Sequence, residues 1–245
     1  RSSQVMIMKD IYSRARTVLI WLGGETKEDG GALNDVARLY NVFRGIPRDK
    51  AMSIRSSAGD DQWLSLMKTV AEIMKGRKDV LGRLLENQWF RRVWVIQEAA
   101  CAKNAILHHG ARSLKWDMFS FVAGELLGYQ LVPAWSSPYP EQCLGHVHGT
   151  MGYSRRTNVD LFALLSMARD YCCSTDPRDR IYALLGLACR STQAPFRPDY
   201  SKDPPEVFTD FVASQLRQGF LKYLNATSCL ENDDSCFRLP SWVPD

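Results

Sequence analysis

The chain has 245 residues, with 31 Lys and Arg against 27 Asp and Glu, and a formal charge of +4 excludes a strongly cationic nucleic-acid binder. At 45% hydrophobic, 24% charged and 11% aromatic residues, the composition is that of a chain able to fill a core, not of a disordered one. Its longest apolar runs, such as Val18 to Leu22, fall far short of the ~20 residues that cross a bilayer, so no membrane span is expected.

The sequence opens on Arg1 rather than Met, and an upstream segment is therefore expected to be missing. Seven cysteines (Cys101, Cys143, Cys172, Cys173, Cys189, Cys229 and Cys236) make an odd number in a chain too large to need stapling. That favours reduced thiols and a cytoplasmic location. At this length two packed units are expected.

In chain order, Gln4 to Ala15 places Val5, Met8, Tyr12 and Ala15 on one helical stripe, with Ile7 and Ile11 beside it as part of a broad buried face. Thr17 to Leu22 reads as a strand. Its unbroken run of Val18, Leu19, Ile20, Trp21 and Leu22 predicts a central parallel strand covered on both faces. Gly23 and Gly24 end it, and ligands tend to bind where such strands stop, so Gly23 to Gly31 is a candidate pocket rim with Glu25, Glu28 and Asp29. A helix over Ala32 to Phe43 follows, then an exposed insertion from Gly45 to Asp61. Helical spacings resume at Trp63 to Met74 and Val80 to Leu85.

Trp89 to Ala102 (WFRRVWVIQEAACA) reads as one helix, and Ala105 to His108 as a short strand ended by Gly110. This order of elements is that of an α/β fold. After Gly110 the pattern turns mostly α-helical, and the domain boundary is placed near residue 113. Helices are expected at Trp116 to Leu127, Asp160 to Tyr171, Pro177 to Leu185 and Pro204 to Gln218, with Phe220 to Ala226 a strand or an extended segment. Gln130 to Thr157 is read as too irregular to be an element. Cys143, His146 and His148, with His108 and His109, invite a zinc reading, but the spacing is not a finger and no metal site is expected.

Five blocks carry a resemblance: Gln4 to Gly23 (QVMIMKDIYSRARTVLIWLG), Trp89 to Ala99 (WFRRVWVIQEA), Thr175 to Ala188 (TDPRDRIYALLGLA), Pro198 to Ser201 (PDYS) and Leu239 to Asp245 (LPSWVPD). In order and spacing they resemble fungal heterokaryon-incompatibility (HET) domain proteins. The resemblance implies a cytoplasmic protein of non-self recognition and programmed cell death, with protein partners and a possible homo-oligomer. Residues 1–112 would then be the C-terminal part of a HET domain whose N-terminal part is missing, and 113–245 a mainly helical HET-associated region.

The family is similar to Toll/interleukin-1 receptor (TIR) domains, which implies a partial flavodoxin-like parallel sheet flanked by helices. Some TIR domains cleave NAD with a helical glutamate four residues after a Trp, and here Trp94 is followed by Glu98. The likeness therefore implies Glu98 as catalytic residue of an NAD glycohydrolase, with Trp94, Trp21, Gly23, Gly24 and Glu25 binding substrate. NAD would be the substrate; no cofactor is implied.

Bland readings stand beside these. Glu98 could be held by Arg91, Arg92 or a backbone group, because a carboxylate in an apolar helix needs a partner. Trp94 could be core. Arg91 and Arg92 suit a phosphate, an acidic partner or a solvated face. Asp176, Arg178, Asp179 and Arg180 start a helix and tie it to the first unit. A signalling module that acts by protein contacts, without catalysis, is the rival to the enzyme.

Overall fold

The computed structural model describes residues 1–46, 61–131, 139–154, 160–189, 195–226 and 239–244. In chain order the elements are α1 (Ser2–Arg14), β1 (Val18–Trp21), α2 (Ala32–Arg44), α3 (Asp61–Met74), α4 (Lys78–Leu85), a 3-10 turn (Gln88–Arg91), α5 (Val95–Cys101), β2 (Ala105–His109) and β3 (Arg112–Lys115). Then follow α6 (Trp116–Gly128), α7 (Tyr139–Ser154), α8 (Leu161–Tyr171), α9 (Asp179–Leu185), α10 (Pro204–Arg217) and a second 3-10 turn (Leu221–Ala226). Two compact units divide the chain, and they interleave along it. One takes Arg1–Ala15, Arg91–Ala102 and Tyr153–Asp245, and the other takes Arg16–Phe90 and Lys103–Gly152.

The second of these holds a three-stranded sheet in the order β1-β2-β3. Strand β1 runs parallel to β2, from Val18 opposite Ala105 to Trp21 opposite His108. Strand β3 returns antiparallel to β2, from His109 opposite Arg112 to Ile106 opposite Lys115. The expected α/β class is thus met by a mixed sheet, where a parallel one was expected.

Strand β1 is also an edge strand among the described residues, not a central one. Val18 and Ile20 point into the core, whereas Leu19 is 67% and Trp21 61% exposed. Continuous hydrophobicity misleads here because it does not say how many faces a strand has covered. The hairpin to β3 turns on Gly110, whose φ of +57° suits glycine. A Cβ there would sit 2.8 Å from Glu25 Cγ.

The segment read as too irregular contains α7. Pro140 lies in the first turn, where a missing N–H is harmless, and Cys143, Leu144, His146 and Val147 supply a buried face at helical spacing. Gly145, Gly149 and Gly152 weaken the helical signal without preventing the helix. The insertion read from Gly45 to Asp61 lies mostly outside the described residues, as do Cys229, Cys236 and Asp245. The other five cysteines form no disulfide with one another among the described residues.

In the helical unit the core gathers Val93 and Ile96 with Leu161, Leu164, Tyr182, Val207, Phe211 and Tyr223. Helix α8 starts on an Asp160 carboxylate that accepts from Phe162 N at 3.1 Å. Helix α10 starts on a capping box: Asp203 accepts from Glu206 N at 2.8 Å and Glu206 accepts from Asp203 N at 3.1 Å. The Phe220 to Ala226 segment, expected as extended, forms the 3-10 turn instead.

Residues 89–102 are not one helix. Arg92 forms a parallel bridge with Cys173, and Val93 N donates to Cys173 O at 3.2 Å. With those backbone groups engaged elsewhere, α5 begins only after Trp94. In α1, the expected stripe of Val5, Met8, Tyr12 and Ala15 is half-buried, but Ile7 and Ile11 are exposed.

Candidate functional site

Glu98 stands in α5 between the buried Gln97 and Ala99, and is itself half-buried. Its partner is Tyr12 of α1, whose hydroxyl donates to the carboxylate. Burial first, and then the Glu98 charge and this hydrogen bond, push the Tyr12 phenol up to about 12; the Arg92 charge opposes them. Sequence reasoning placed Tyr12 on the buried stripe but missed this role. A hydroxyl within an otherwise apolar stripe was the available signal, since such a group seeks an acceptor.

Trp94 precedes α5, and its indole Nε1 donates to Asp179 Oδ2 at 3.1 Å. Asp179, only 4% exposed, is the centre of a network. It accepts from the Tyr200 hydroxyl and from Arg1 at 3.1 Å. Arg1 also reaches Asp176 at 2.8 Å, and its guanidinium lies 4.3 Å from the Tyr200 ring centre.

Arg178 forks onto Asp176, with both contacts at 2.9 Å, and donates to the carbonyls of Tyr200 and Lys202. That fork holds the Asp176 carboxyl below the usual carboxylate range. The TDPRDR block is therefore a structural knot joining the start of α9, Trp94, Arg1 and the PDYS block. Asp176, Arg178 and Asp179 tie elements together, as the sequence suggested, whereas the Arg180 side chain is exposed.

Trp21, Gly23, Gly24 and Glu25 belong to the sheet unit, whereas Trp94 and Glu98 belong to the helical one. Gly23 has φ +99°, and its carbonyl accepts from Gly110 N at 2.8 Å, which extends the β1-β2 ladder past the strand end. No side-chain atom lies near Gly24 where a Cβ would project.

The loop that follows is filled with its own contacts. Glu25 Oε1 accepts from Arg112 Nε at 2.7 Å and from Gly31 N at 3.2 Å. Asp29 accepts from Thr26 N at 2.6 Å, and its other oxygen lies 3.3 Å from Nε2 of the buried His109. Arg77 braces the loop's end, donating to Gly30 O and Asp35 at 2.8 Å.

Among the described residues no group of three or more His, Cys, Asp or Glu is placed to hold a metal ion. His146 is buried, and burial lowers its imidazole to about 4.

A cavity of about 390 Å³ opens within the helical unit. Its wall includes Phe162, Phe208 and Phe211, and neither Glu98 nor Trp94 is part of it.

Residues 1–98 match the family of heterokaryon incompatibility proteins (HET). The matched segment ends at Glu98 and includes Arg1, Tyr12 and Trp94 as well as the loop after β1. A relative is Heterokaryon incompatibility protein 6, OR allele, of Neurospora crassa, which is 24% identical over 295 aligned positions. The alignment covers 100% of this chain and 42% of that relative, so the chain spans less than half of the relative's length. The HET resemblance read from the sequence blocks is borne out by both findings. No solved structure matches. Among the described residues, no helix is long and apolar enough to cross a membrane.

Proposed function

We propose that this chain acts in fungal heterokaryon incompatibility, as a cytoplasmic protein of non-self recognition whose engagement leads to programmed cell death, and that it acts through protein contacts. The observation that carries the contact reading is the open edge of the sheet. Leu19 and Trp21 stand on one face of edge strand β1, 67% and 61% exposed. Bulky apolar groups exposed on an edge strand are a contact surface or an aggregation hazard. The test is expression in a filamentous host. Wild type should arrest growth, the Leu19→Ser/Trp21→Ser double variant should not, and Glu98→Gln should behave as wild type. Arrest by the double variant would remove this surface from the account.

A second reading is NAD cleavage of the TIR-like kind, with Glu98 catalytic, Trp94 beside it, and Trp21, Gly23, Gly24 and Glu25 binding the dinucleotide. The specific support is the spacing of Trp94 and Glu98, with Glu98 half-buried and not sealed in the core. A carboxylate can stabilise the positive charge that builds on ribose as nicotinamide leaves. The contact reading is preferred because Glu98 already accepts from Tyr12 and Trp94 already donates to Asp179.

A further inference from the structure

We propose that the open edge of the sheet pairs with the same edge of a second copy of this chain, strand β1 against strand β1 and antiparallel, so that two three-stranded sheets join into one. This names the partner of the surface on which the contact reading rests.

The backbone supplies the bonding. Val18 N and Leu22 N donate to Asn104 O and His108 O, each at 2.8 Å, so the even-numbered residues of β1 turn their polar groups toward β2. Those groups alternate in direction along a strand, and Leu19 and Trp21 therefore turn their N–H and C=O outward. No described residue bonds to them there. Such a row of unmet donors and acceptors is a template for a further strand, and β1, reading Val-Leu-Ile-Trp, carries no proline or charge to blunt it.

Self-complementarity selects a second copy. When two β1 strands run antiparallel about a two-fold axis at Ile20, Leu19 of each stands opposite Trp21 of the other, and both residues face their backbone groups outward. Each such pair can exchange both of its hydrogen bonds. Leu19 and Trp21 also share the exposed face of the strand, so this register lays each leucine beside the other copy's indole, at the ~5 Å that separates cross-strand neighbours. Apolar groups now in water then cover one another.

Charge agrees with the antiparallel sense. Arg16 precedes β1, and the loop after β1 carries Glu25, Glu28 and Asp29 against Lys27 alone. The same register sets Arg16 of one copy opposite Gly24 of the other, where that acidic loop starts, and the Arg16 and Glu28 side chains are both exposed. A parallel copy would set arginine beside arginine and acidic loop beside acidic loop. A two-fold pairing also uses each β1 edge once and closes.

The experiment is sedimentation of the full chain from about 1 to about 200 µM, a range suited to so small an interface, with amide hydrogen exchange measured by mass spectrometry at both ends of it. The proposal expects monomer at the low end and dimer at the high end, with the Leu19 and Trp21 amides protected only in the dimer. Leu19→Pro removes an outward N–H and none of the bonds to β2, and should stay monomeric throughout; if that variant loses its thermal transition, amide exchange in the wild type decides. Arg16→Glu should weaken dimerisation at least tenfold, which a merely sticky apolar surface would not show. Monomer at every concentration, a dimer with the Leu19 and Trp21 amides still open, or a dimer as tight in Arg16→Glu as in wild type would each overturn the proposal. Its failure is separable from that of the contact reading. A monomeric chain whose growth arrest is lost in Leu19→Ser/Trp21→Ser overturns the pairing and leaves the edge to another protein, whereas a dimer with arrest undiminished in that double variant keeps the pairing and removes its role in arrest.

Discussion

The Tyr12 hydroxyl donates to the Glu98 carboxylate, joining the HET segment's first helix to the short helix at its end. The contact gives the carboxylate a reason to sit in an apolar helix.

It also gives a titration that can be read. The folded Tyr12 phenol, at about 12, lies above its ordinary value of 10.0, so the stability it contributes is complete below pH 10 and lost as pH rises toward 12. In Glu98→Gln the Tyr12 value should fall but stay above 10, because burial is the largest cause and survives the substitution. Carbon NMR of labelled tyrosine between pH 9 and 12 measures it. An unchanged titration in the variant would mean the contact does not form.

Asp179 gathers Trp94, Tyr200 and Arg1 on one buried carboxylate. Asp179→Ala should lower stability by about 2–4 kcal/mol, since it strands an indole N–H and a phenol in a nearly dry site. Urea unfolding checks the magnitude. A loss under about 0.5 kcal/mol, the size of an ordinary surface change, would contradict the network.

The buried His146 sets an acid limit. Its imidazole, lowered from 6.5 to about 4 by burial, is neutral in the fold, so the unfolded chain takes up its proton first as pH drops. Stability should be full above pH 6.5 and decline as pH falls toward 4, by about 2–3 kcal/mol from this residue. In His146→Gln that part of the decline should vanish; an identical pH profile in the variant would show that another group sets it.

Gly110 is constrained twice, by its φ of +57° and by Glu25, whose Cγ and backbone N lie 2.8 and 3.1 Å from a would-be Cβ. Gly110→Ala should destabilise the chain by about 1–3 kcal/mol in thermal or urea unfolding. A neutral result would mean the hairpin tolerates another turn.

Much of the fold was legible where local chemistry decides it. The helices read at Asp160 to Tyr171 and Pro204 to Gln218 form as α8 and α10, and Leu161, Leu164 and Ala168 and Val207, Phe208, Phe211 and Val212 are buried on them. Reading failed where a distant backbone intervened. Nothing near Trp89 announces that Cys173 will take the hydrogen bonds of Arg91 to Val93 and split the expected helix. Strand β3 is short and polar, reading Arg-Ser-Leu-Lys, and pairs because Gly110 turns the chain back, a signal read only as an ending.

At the candidate site the sequence singled out Glu98 and Trp94, but their partners Tyr12 and Asp179 lie 86 and 85 positions away and are joined to them only by packing. The loop after β1 was read as a pocket rim from its place at a strand end. Glu25 and Asp29 meet Arg112 and His109 of the unforeseen hairpin, and backbone N–H groups of the loop itself.

On the contact reading, Glu98 is a structural acceptor and not a catalytic group. Incubating the full chain and its Glu98→Gln variant with NAD, and quantifying nicotinamide by chromatography beside growth arrest in a filamentous fungus, tests it most directly. The account predicts nicotinamide at the protein-free background for both and arrest by both. Nicotinamide released by wild type, and lost together with arrest in Glu98→Gln, would contradict it and make that carboxylate catalytic.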